Sequence, residues 1–436
     1  MKLKIVFLGA GSVVFLKNVI GDCFLTEGLE DSHYALYDIN SDRLDEAGKV
    51  VNSLNHNINN DRATYSTYLG EDQLEDALRG ADFIINAIQV GGYEPATKAD
   101  FDISNKYNLE TTIGDTMGPA GIFRALRTIP VLDLFASKIE KVCPDAWFLN
   151  YTNPMGILTG YMLRYTKVKT VGLCHSVQVA AQELMDGVGL KAKGHIAYRI
   201  AGINHLAWLL NITDDGVDIY PEIKRLAETH IPDDDRVRFE MMKRFGYYVT
   251  ESSEHCSEYV PYFIKKTYPE QIEKYNIPLN EYPRRCIENI NKFDTVKKEL
   301  IDNVNITHER SREYASLIIQ GIAYDKPFVF NGNVINEGSI TNLDSLACVE
   351  VPCVTSQFGI AKEIVGALPE QCAALDRTNI NVQLTAIKAA VTKKKDDVYQ
   401  AAWMDPHASA ELNLDDIKAL CDEMFEAHKK WLPKYI

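Results

Sequence analysis

The sequence predicts an α/β protein built on a doubly wound parallel sheet, followed by a second domain of α+β type. Three observations carry this: an apolar strand running straight into a glycine-rich turn and a helix, a regular strand–helix alternation over residues 1–195, and the loss of that alternation over residues 196–436. Lys4-Ile5-Val6-Phe7-Leu8 reads as a buried strand, Gly9-Ala10-Gly11-Ser12 as a turn, 13–26 as a helix and 33–38 as the second strand. These make a βαβ unit. The pattern continues with a helix over 41–57, strand 64–68, helix 71–79 and a strong strand over 83–88. Helix 121–142, strand 147–151, helix 155–165, strand 170–173 and helix 178–187 complete the first domain. Beyond it, strands are expected at 197–203 and 206–212, and helices at 221–229, 236–245, 283–302, 312–323 and 414–428. No internal repeat or low-complexity tract interrupts the chain, and Asp233-Asp234-Asp235 reads as a solvated loop.

With 436 residues, 46% of them hydrophobic, the chain has material for two cores rather than one. A formal charge of −15 argues against nucleic acid or an anionic membrane as partner, since both select clustered Lys and Arg. Lys393-Lys394-Lys395 is too short to make such a patch. No apolar stretch approaches the roughly 20 residues needed to span a bilayer, and the start of the chain carries no small-residue cleavage site. A cytoplasmic location is expected. Nine cysteines, odd in number and without CxxC pairs, fit reduced thiols.

The chemistry-bearing residues fall at strand ends. Gly9 and Gly11, after the first strand, let the backbone approach a pyrophosphate at a helix N-terminus; Val14 stands where a third glycine is usual. Asp38, ending the second strand, can accept both ribose hydroxyls and would repel a 2′-phosphate, which favours NAD over NADP. It can equally cap the strand and start a turn with Asn40. The strand carrying Asn86 leads to Gln89-Val90-Gly91-Gly92-Tyr93-Glu94, a loop able to lie against cofactor and substrate, or simply a flexible connection. Asn153 offers an amide to sugar hydroxyls or serves as an N-cap. Asp115, in Asp115-Thr116-Met117-Gly118-Pro119, can tune a base or form a turn. Cys174 and His175 end one apolar run, and His205 ends another. A thiolate with an imidazole suits a divalent transition metal, and the alternative is a buried Cys with satisfied histidines. Glu251, Glu254, His255, Glu258 and Tyr259 supply acid–base groups or a solvated helix face. Arg284 and Arg285 offer cationic forks to a pocket or to a helix start.

Together these motifs resemble the NAD- and manganese-dependent glycoside hydrolases of family 4, most closely their α-galactosidase branch, from Gly9 to Trp431. The likeness also rests on Arg124-Ala125-Leu126-Arg127-Thr128-Ile129-Pro130, Asn150-Tyr151, Cys174-His175-Ser176-Val177-Gln178, Gly202-Ile203-Asn204-His205, Thr250 to His255 and Glu281-Tyr282-Pro283. Such enzymes resemble lactate and malate dehydrogenases in their nucleotide domain, which implies a Rossmann-like sheet. The resemblance implies hydrolysis by a redox route: hydride leaves sugar C3 for NAD, the C2 proton becomes acidic, the aglycone is eliminated, water adds and the hydride returns. It implies that Cys174 and His205 bind Mn²⁺, that His175 is the proton donor, and that Asp115 supports the base. Tyr259 aligns with the base, with Glu251 and Glu254 competing for the role. Gly9, Ala10, Gly11, Ser12, Asp38 and Asn86 would hold NAD, and Gln89, Asn153 and Arg285 the substrate. Phosphosugar-specific members carry Arg at the position of Gln89 and Asn or Asp at that of His175, so an unphosphorylated sugar is expected.

The reading is an α-galactosidase, an enzyme that forms a homodimer or homotetramer and acts on melibiose-like or raffinose-like α-galactosides. An α-glucosidase or α-galacturonidase of the same family stands beside it. Outside the family stand an NAD-dependent sugar or hydroxy-acid dehydrogenase, which would accumulate NADH, and a non-catalytic NAD or sugar sensor.

Overall fold

A computed structural model describes residues 2–436. Its six parallel strands are β1 (Lys4–Leu8), β2 (His33–Asp38), β3 (Thr64–Leu69), β4 (Phe83–Asn86), β5 (Trp147–Asn150) and β6 (Lys169–Gly172), in the spatial order β3-β2-β1-β4-β5-β6. In this doubly wound order the winding reverses between β1 and β4, and a ligand crevice opens there beyond the carboxyl ends of the strands. Runs such as Ile5-Val6-Phe7-Leu8 are buried throughout, as strands covered on both faces require. The covering helices are α1 (Val13–Phe24), α2 (Ser41–Asn59), α3 (Gly70–Leu78), α4 (Lys98–Lys106), α5 (Gly118–Val142), α6 (Met155–Tyr165) and α7 (Ser176–Gly187).

The sheet continues into the second half through β7 (Ile196–Ile203), β8 (Leu206–Asp214), β9 (Val217–Asp218), β10 (Tyr248–Val249), β11 (Val329–Ile335), β12 (Cys348–Ser356) and β13 (Gly359–Lys362). The 13 strands form one sheet, with β10-β8-β7-β12-β11 leading into β6. Two single-residue pairings make the seam: Asn333 opposite Gly172 and Glu350 opposite Gly202. Gly172 must be glycine there, because a Cβ would sit 2.6 Å from both Met155 Sδ and Thr159 Oγ1. The remaining helices are α8 (Tyr220–Leu226), α9 (Arg236–Phe245), α10 (Ser253–Tyr259), α11 (Glu270–Lys274), α12 (Glu281–Asn291), α13 (Phe293–Val296), α14 (Ala315–Tyr324), α15 (Glu370–Thr392), α16 (Lys395–Trp403), α17 (Pro406–Glu411) and α18 (Leu414–His428). A main core runs through both halves, and a smaller one joins α7, α8 and α9 to β7 and β8 around Leu184, Ile200, Leu209 and Phe239. No helix among the described residues is long and apolar enough to cross a membrane.

Two expectations shift in detail. The strand expected over 83–88 stops at Asn86, whose amide turns to neighbouring side chains. The helix expected over 283–302 is α12, α13 and a wide turn at Lys297–Ile301 in succession.

A buried charge network ties the C-terminal helix to two helices that cover the parallel sheet. Arg127 on α5 grips Asp100 on α4 with two nitrogens (3.1 and 2.7 Å), and its Nε donates to Val90 O at 3.2 Å. His428, ending α18, lies 2.7 Å from the same Asp100 carboxylate, and all three side chains are buried. Removing one member leaves the others desolvated without full pairing, so Arg127→Ala is expected to cost about 3–5 kcal/mol. Arg62→Ala, at an exposed pair with Asp31, should cost less than about 1 kcal/mol. Urea unfolding of both variants checks the contrast, and equal losses would contradict it.

Candidate active site

The glycine turn after β1 leaves backbone N–H groups at the start of α1, the geometry a bound anion requires. Gly9 takes φ +88°, which a side chain would strain, and its N–H and that of Ala10 both donate to Tyr37 O at 3.0 Å. Ser12 stands exposed at the start of α1 and makes no side-chain cap, so the first-turn N–H groups face the crevice where an anion would sit. Val14, at the third-glycine position, is 50% exposed and points away from the sheet, so it does not obstruct packing of α1. Asp38 accepts from Gly11 N at 2.7 Å and from Asn40 N at 3.0 Å. The acid therefore closes the turn and holds Asn40, which caps α2 by accepting from Arg43 N. Asn86 is fully buried; it donates to Asn150 Oδ1 (2.9 Å) and Thr152 Oγ1 (3.1 Å), while its own Oδ1 has no partner.

The loop after β4 carries Gln89, which donates to Thr97 Oγ1 at 3.2 Å, with Thr97 returning a bond to Gly92 O at 3.2 Å. Asn153 follows β5 and donates to Asp115 Oδ2 at 3.2 Å. It is not the cap of α6, whose N-cap position is Pro154.

Across the crevice the β7–β8 hairpin presents His205 at φ +64°, and the turn after β10 presents Glu251 at φ +73°. Two residues held in the left-handed region are strain that the surroundings must sustain. At Glu251 they do so through Arg238, which donates to the Glu251 carbonyl and is paired with Asp235 at 2.5 Å. Within α10 the i, i+4 spacing puts His255 and Tyr259 on one side, with Glu251 in the turn just before the helix, and the helix is buried, not solvated. His255 Nδ1 lies 2.5 Å from Glu251 Oε2 and its Nε2 lies 3.4 Å from Asp115 Oδ1. The rings of His205 and His255 are 4.3 Å apart, and that of Tyr259 is 6.2 Å from His205.

The electrostatics follow from burial and pairing. Burial opposes charge on His255, but the flanking Glu251 and Asp115 carboxylates outweigh it and hold the ring protonated. Burial likewise works against ionised Asp115, yet His255 and Arg124 keep its carboxyl down at about 2. His205 is lowered to about 4 by burial and by the positive neighbour His255, so it is neutral at pH 7. Burial pushes the Cys174 thiol up to about 12, with Glu350 and Glu251 adding to the rise. Tyr259 holds its proton tightly, through burial first and then the charges of Asp115, Glu258 and Glu251.

Ligand atoms of His205, Glu251 and His255 all lie within 4.8 Å of one another, a spread that suits a divalent ion at bonds of about 2.0–2.2 Å. His205 Nδ1 is buried without a hydrogen-bond partner and His205 is already neutral, as a ligand must be. The donors fit Mn²⁺ or a similar ion, and binding would release the proton of His255. Cys174 stands outside this triad; its Sγ lies 2.9 Å from Ser176 Oγ. His175 is 62% exposed at the mouth, with Nδ1 3.9 Å from Glu313 Oε1. Arg285 projects from α12 and is held by Glu281 (2.7 Å) and Glu254 (3.0 Å).

Sequence reasoning offered Glu258 as one of a run of acid–base groups and missed its use as a loop anchor. Its Oε1 accepts from Thr112 N (2.5 Å), Ile113 N (2.6 Å) and Gly114 N (3.0 Å), so one buried carboxylate fastens the loop that ends in Asp115 and Thr116. The signal was present as Glu258 one turn beyond His255.

A nucleotide-type sheet whose crevice faces a buried cluster of metal-ligating side chains defines a cofactor-dependent enzyme. The chain belongs to the family 4 glycosyl hydrolases: the family model matches residues 4–190 and the model of the family's C-terminal domain matches 200–408. It is 55% identical over 434 residues to an α-galactosidase of Bacillus subtilis, covering 99% of each chain. It is 34% identical to an α-galactosidase of Rhizobium meliloti, covering 99% of this chain and 89% of that one. A 6-phospho-α-glucosidase from gut microorganisms, solved with NAD and Mn²⁺, shares the fold at a TM-score of 0.84 and 21% identity, with 100% of both chains covered.

Replacing Glu258 by Ala would leave three buried N–H groups unpaired and release the Asp115 loop. Each bond to a charged group is worth about 1.5–3 kcal/mol, part of which solvent entry recovers, so a loss of roughly 3 kcal/mol is expected in denaturant unfolding. Stability unchanged within about 0.5 kcal/mol would show that the loop holds itself.

Proposed function

We propose that this chain is an α-galactosidase that hydrolyses unphosphorylated α-galactosides with NAD and Mn²⁺ as cofactors. The observation that carries the reading is the His205–Glu251–His255 triad, linked through Asp115 to Asn153 at the carboxyl end of β5, in the sheet whose β1 carries the Gly9–Ser12 turn. Identity to the curated α-galactosidases supports the galactoside, and the neutral Gln89 supports a sugar without phosphate. When bound, the cofactors supply a hydride acceptor for C3 and a Lewis acid for the neighbouring oxygens.

The chain's own residues do the rest. Gly9, Ala10, Gly11, Ser12, Asp38 and Asn86 position the dinucleotide, and Cys174 and His205 hold the metal together with groups of the triad. Gln89, Asn153 and Arg285 orient the sugar. His175, exposed at the mouth, hands a proton to the departing aglycone. Tyr259 removes the C2 proton, with Asp115 as its support; its depth means that positive charge must stand nearby for it to ionise. The enzyme works in the cytoplasm, a placement supported by nine unpaired cysteines, and assembles as a homodimer or homotetramer. Exposed Val329, Phe358 and Ile364 on the β11–β13 arm support assembly.

Nitrophenyl α-galactoside should be hydrolysed when NAD, Mn²⁺ and a reductant are all present, without net NADH, and the 6-phosphate analogue should not. Stoichiometric NADH accumulation would instead make the chain a dehydrogenase. Asp38→Ala should weaken NAD binding about tenfold and narrow the preference against NADP, because it removes both an acceptor and a like charge. Titration of both cofactors checks this, and unchanged affinities would leave Asp38 a turn residue only.

A further inference from the structure

The seam between the two kinds of sheet holds a buried polar knot that no step of the reaction uses. Glu350, on β12, is 1% exposed and pairs across the strands with Gly202, three residues before His205. Its Oε1 accepts from Asn333 Nδ2 at 2.9 Å and from Asn204 Nδ2 at 3.4 Å. Asn333 Nδ2 also reaches Gly172 O at 3.4 Å, two residues before Cys174, and Asn333 is the residue opposite Gly172 in the ladder. Asn204 adjoins His205 in the hairpin turn. One carboxyl group is therefore bonded directly to the His205 hairpin through Asn204, and is linked to the Cys174 segment through Asn333 of β11, whose amide reaches Gly172 O. Its other oxygen has no hydrogen-bond partner.

A buried carboxyl group is costly to retain and adds little stability by itself. Apolar residues would close a seam between two strands at lower cost. A carboxyl group bridging two ligand-bearing loops has a different use: it fixes the distance between ligands that come from unconnected strands, as outer-shell partners do at metal centres.

We infer that Glu350 is a positioning residue for the metal site, holding the Cys174 segment and the His205 hairpin in register through Asn333 and Asn204. This rests on the proposed assignment of Cys174 and His205 as metal ligands. Glu350 touches neither substrate nor cofactor, and its effect appears in metal affinity rather than in NAD binding.

The test is Mn²⁺ binding to the NAD-loaded enzyme by titration calorimetry, with NAD affinity and thermal midpoint measured alongside. Glu350→Leu should weaken Mn²⁺ roughly ten- to a hundredfold and leave the NAD dissociation constant within about twofold. Glu350→Gln keeps an oxygen for both amides and should return Mn²⁺ affinity to within about threefold of wild type. Asn204→Ala, which cuts the link on the hairpin side, should weaken Mn²⁺ in the direction of Glu350→Leu. Val351→Ala, a neighbouring cavity in the same strand, should lower the thermal midpoint without changing Mn²⁺ affinity. Wild-type Mn²⁺ affinity in folded Glu350→Leu overturns the inference; if that variant does not fold, wild-type affinity in Asn204→Ala overturns it. Cys174→Ser separates the two readings. Wild-type affinity in that variant removes Cys174 from the ligand set, whereas loss in Cys174→Ser with none in Glu350→Leu leaves the metal assignment standing and removes only Glu350.

Discussion

The constraint on which the rest of the molecule depends is the seam where six parallel strands meet an antiparallel set through one residue pair on each side. A parallel sheet places its loops at the carboxyl ends of its strands, and the segments after β1, β4, β5 and β6 all emerge at that edge. Those segments supply the dinucleotide turn, Gln89, Asn153 and Cys174. They cannot supply a group from the opposite side of the crevice. Joining β11 antiparallel to β6, and β12 to β7, swings the β7–β8 hairpin around so that its turn, with His205, faces the same opening. Because each junction is a single pair, the sheet can bend there. The cost is that few backbone bonds hold the angle, so side chains such as Asn333 must add to them.

Crowding of ionisable groups in the crevice follows from that geometry. Asp115, Glu251, His255 and His205 come from three different segments and are all buried or nearly so. Any one of them alone in that environment would lose its charge. Paired, the two carboxylates, one imidazolium and the nearby Arg124 stabilise one another, and the second histidine stays neutral because it is buried beside the charged first. The arrangement leaves a neutral imidazole nitrogen beside the Glu251 carboxylate, a donor pair that suits a cation rather than an anion. Such clusters give little net stability and are costly to assemble, so their presence points to function.

Much of this was legible in sequence, and the part that was not has a physical reason. The parallel strands were readable because burial on both faces demands continuous apolar runs, and the glycine turn because φ at Gly9 demands glycine. The run of Glu251, Glu254, His255, Glu258 and Tyr259 was readable as acid–base groups or a solvated helix face, and the choice between them depended on distant elements such as α15. That helix escaped notice because its buried side carries Asp376, Asn379 and Gln383. These serve distant partners: Asp376 accepts from Trp208 Nε1 at 3.0 Å, and Asn379 donates to Tyr259 O at 3.1 Å. Strands β11 and β12 were hidden by Asn331, Gly332, Asn333 and Pro352, all poor strand formers. Polar residues placed inward for the site's sake erase the periodicity by which an element is recognised.

The same trade explains where the chain tolerates imperfection. Buried polar atoms without hydrogen-bond partners include His205 Nδ1, Asn204 Oδ1 and Glu350 Oε2, and these belong to the crevice or to the seam beneath it. Each incurs a desolvation penalty of about 1–3 kcal/mol where no partner compensates. A fold optimised for stability alone would fill such positions with apolar side chains. Here the penalty is carried by a large core running through both halves, while the Asp100–Arg127–His428 network fixes the C-terminal helix and the Gln89 loop against α4 and α5. The rigid part of the molecule thus supports a mouth whose polar atoms stand oriented before anything binds, so binding need not reorganise them.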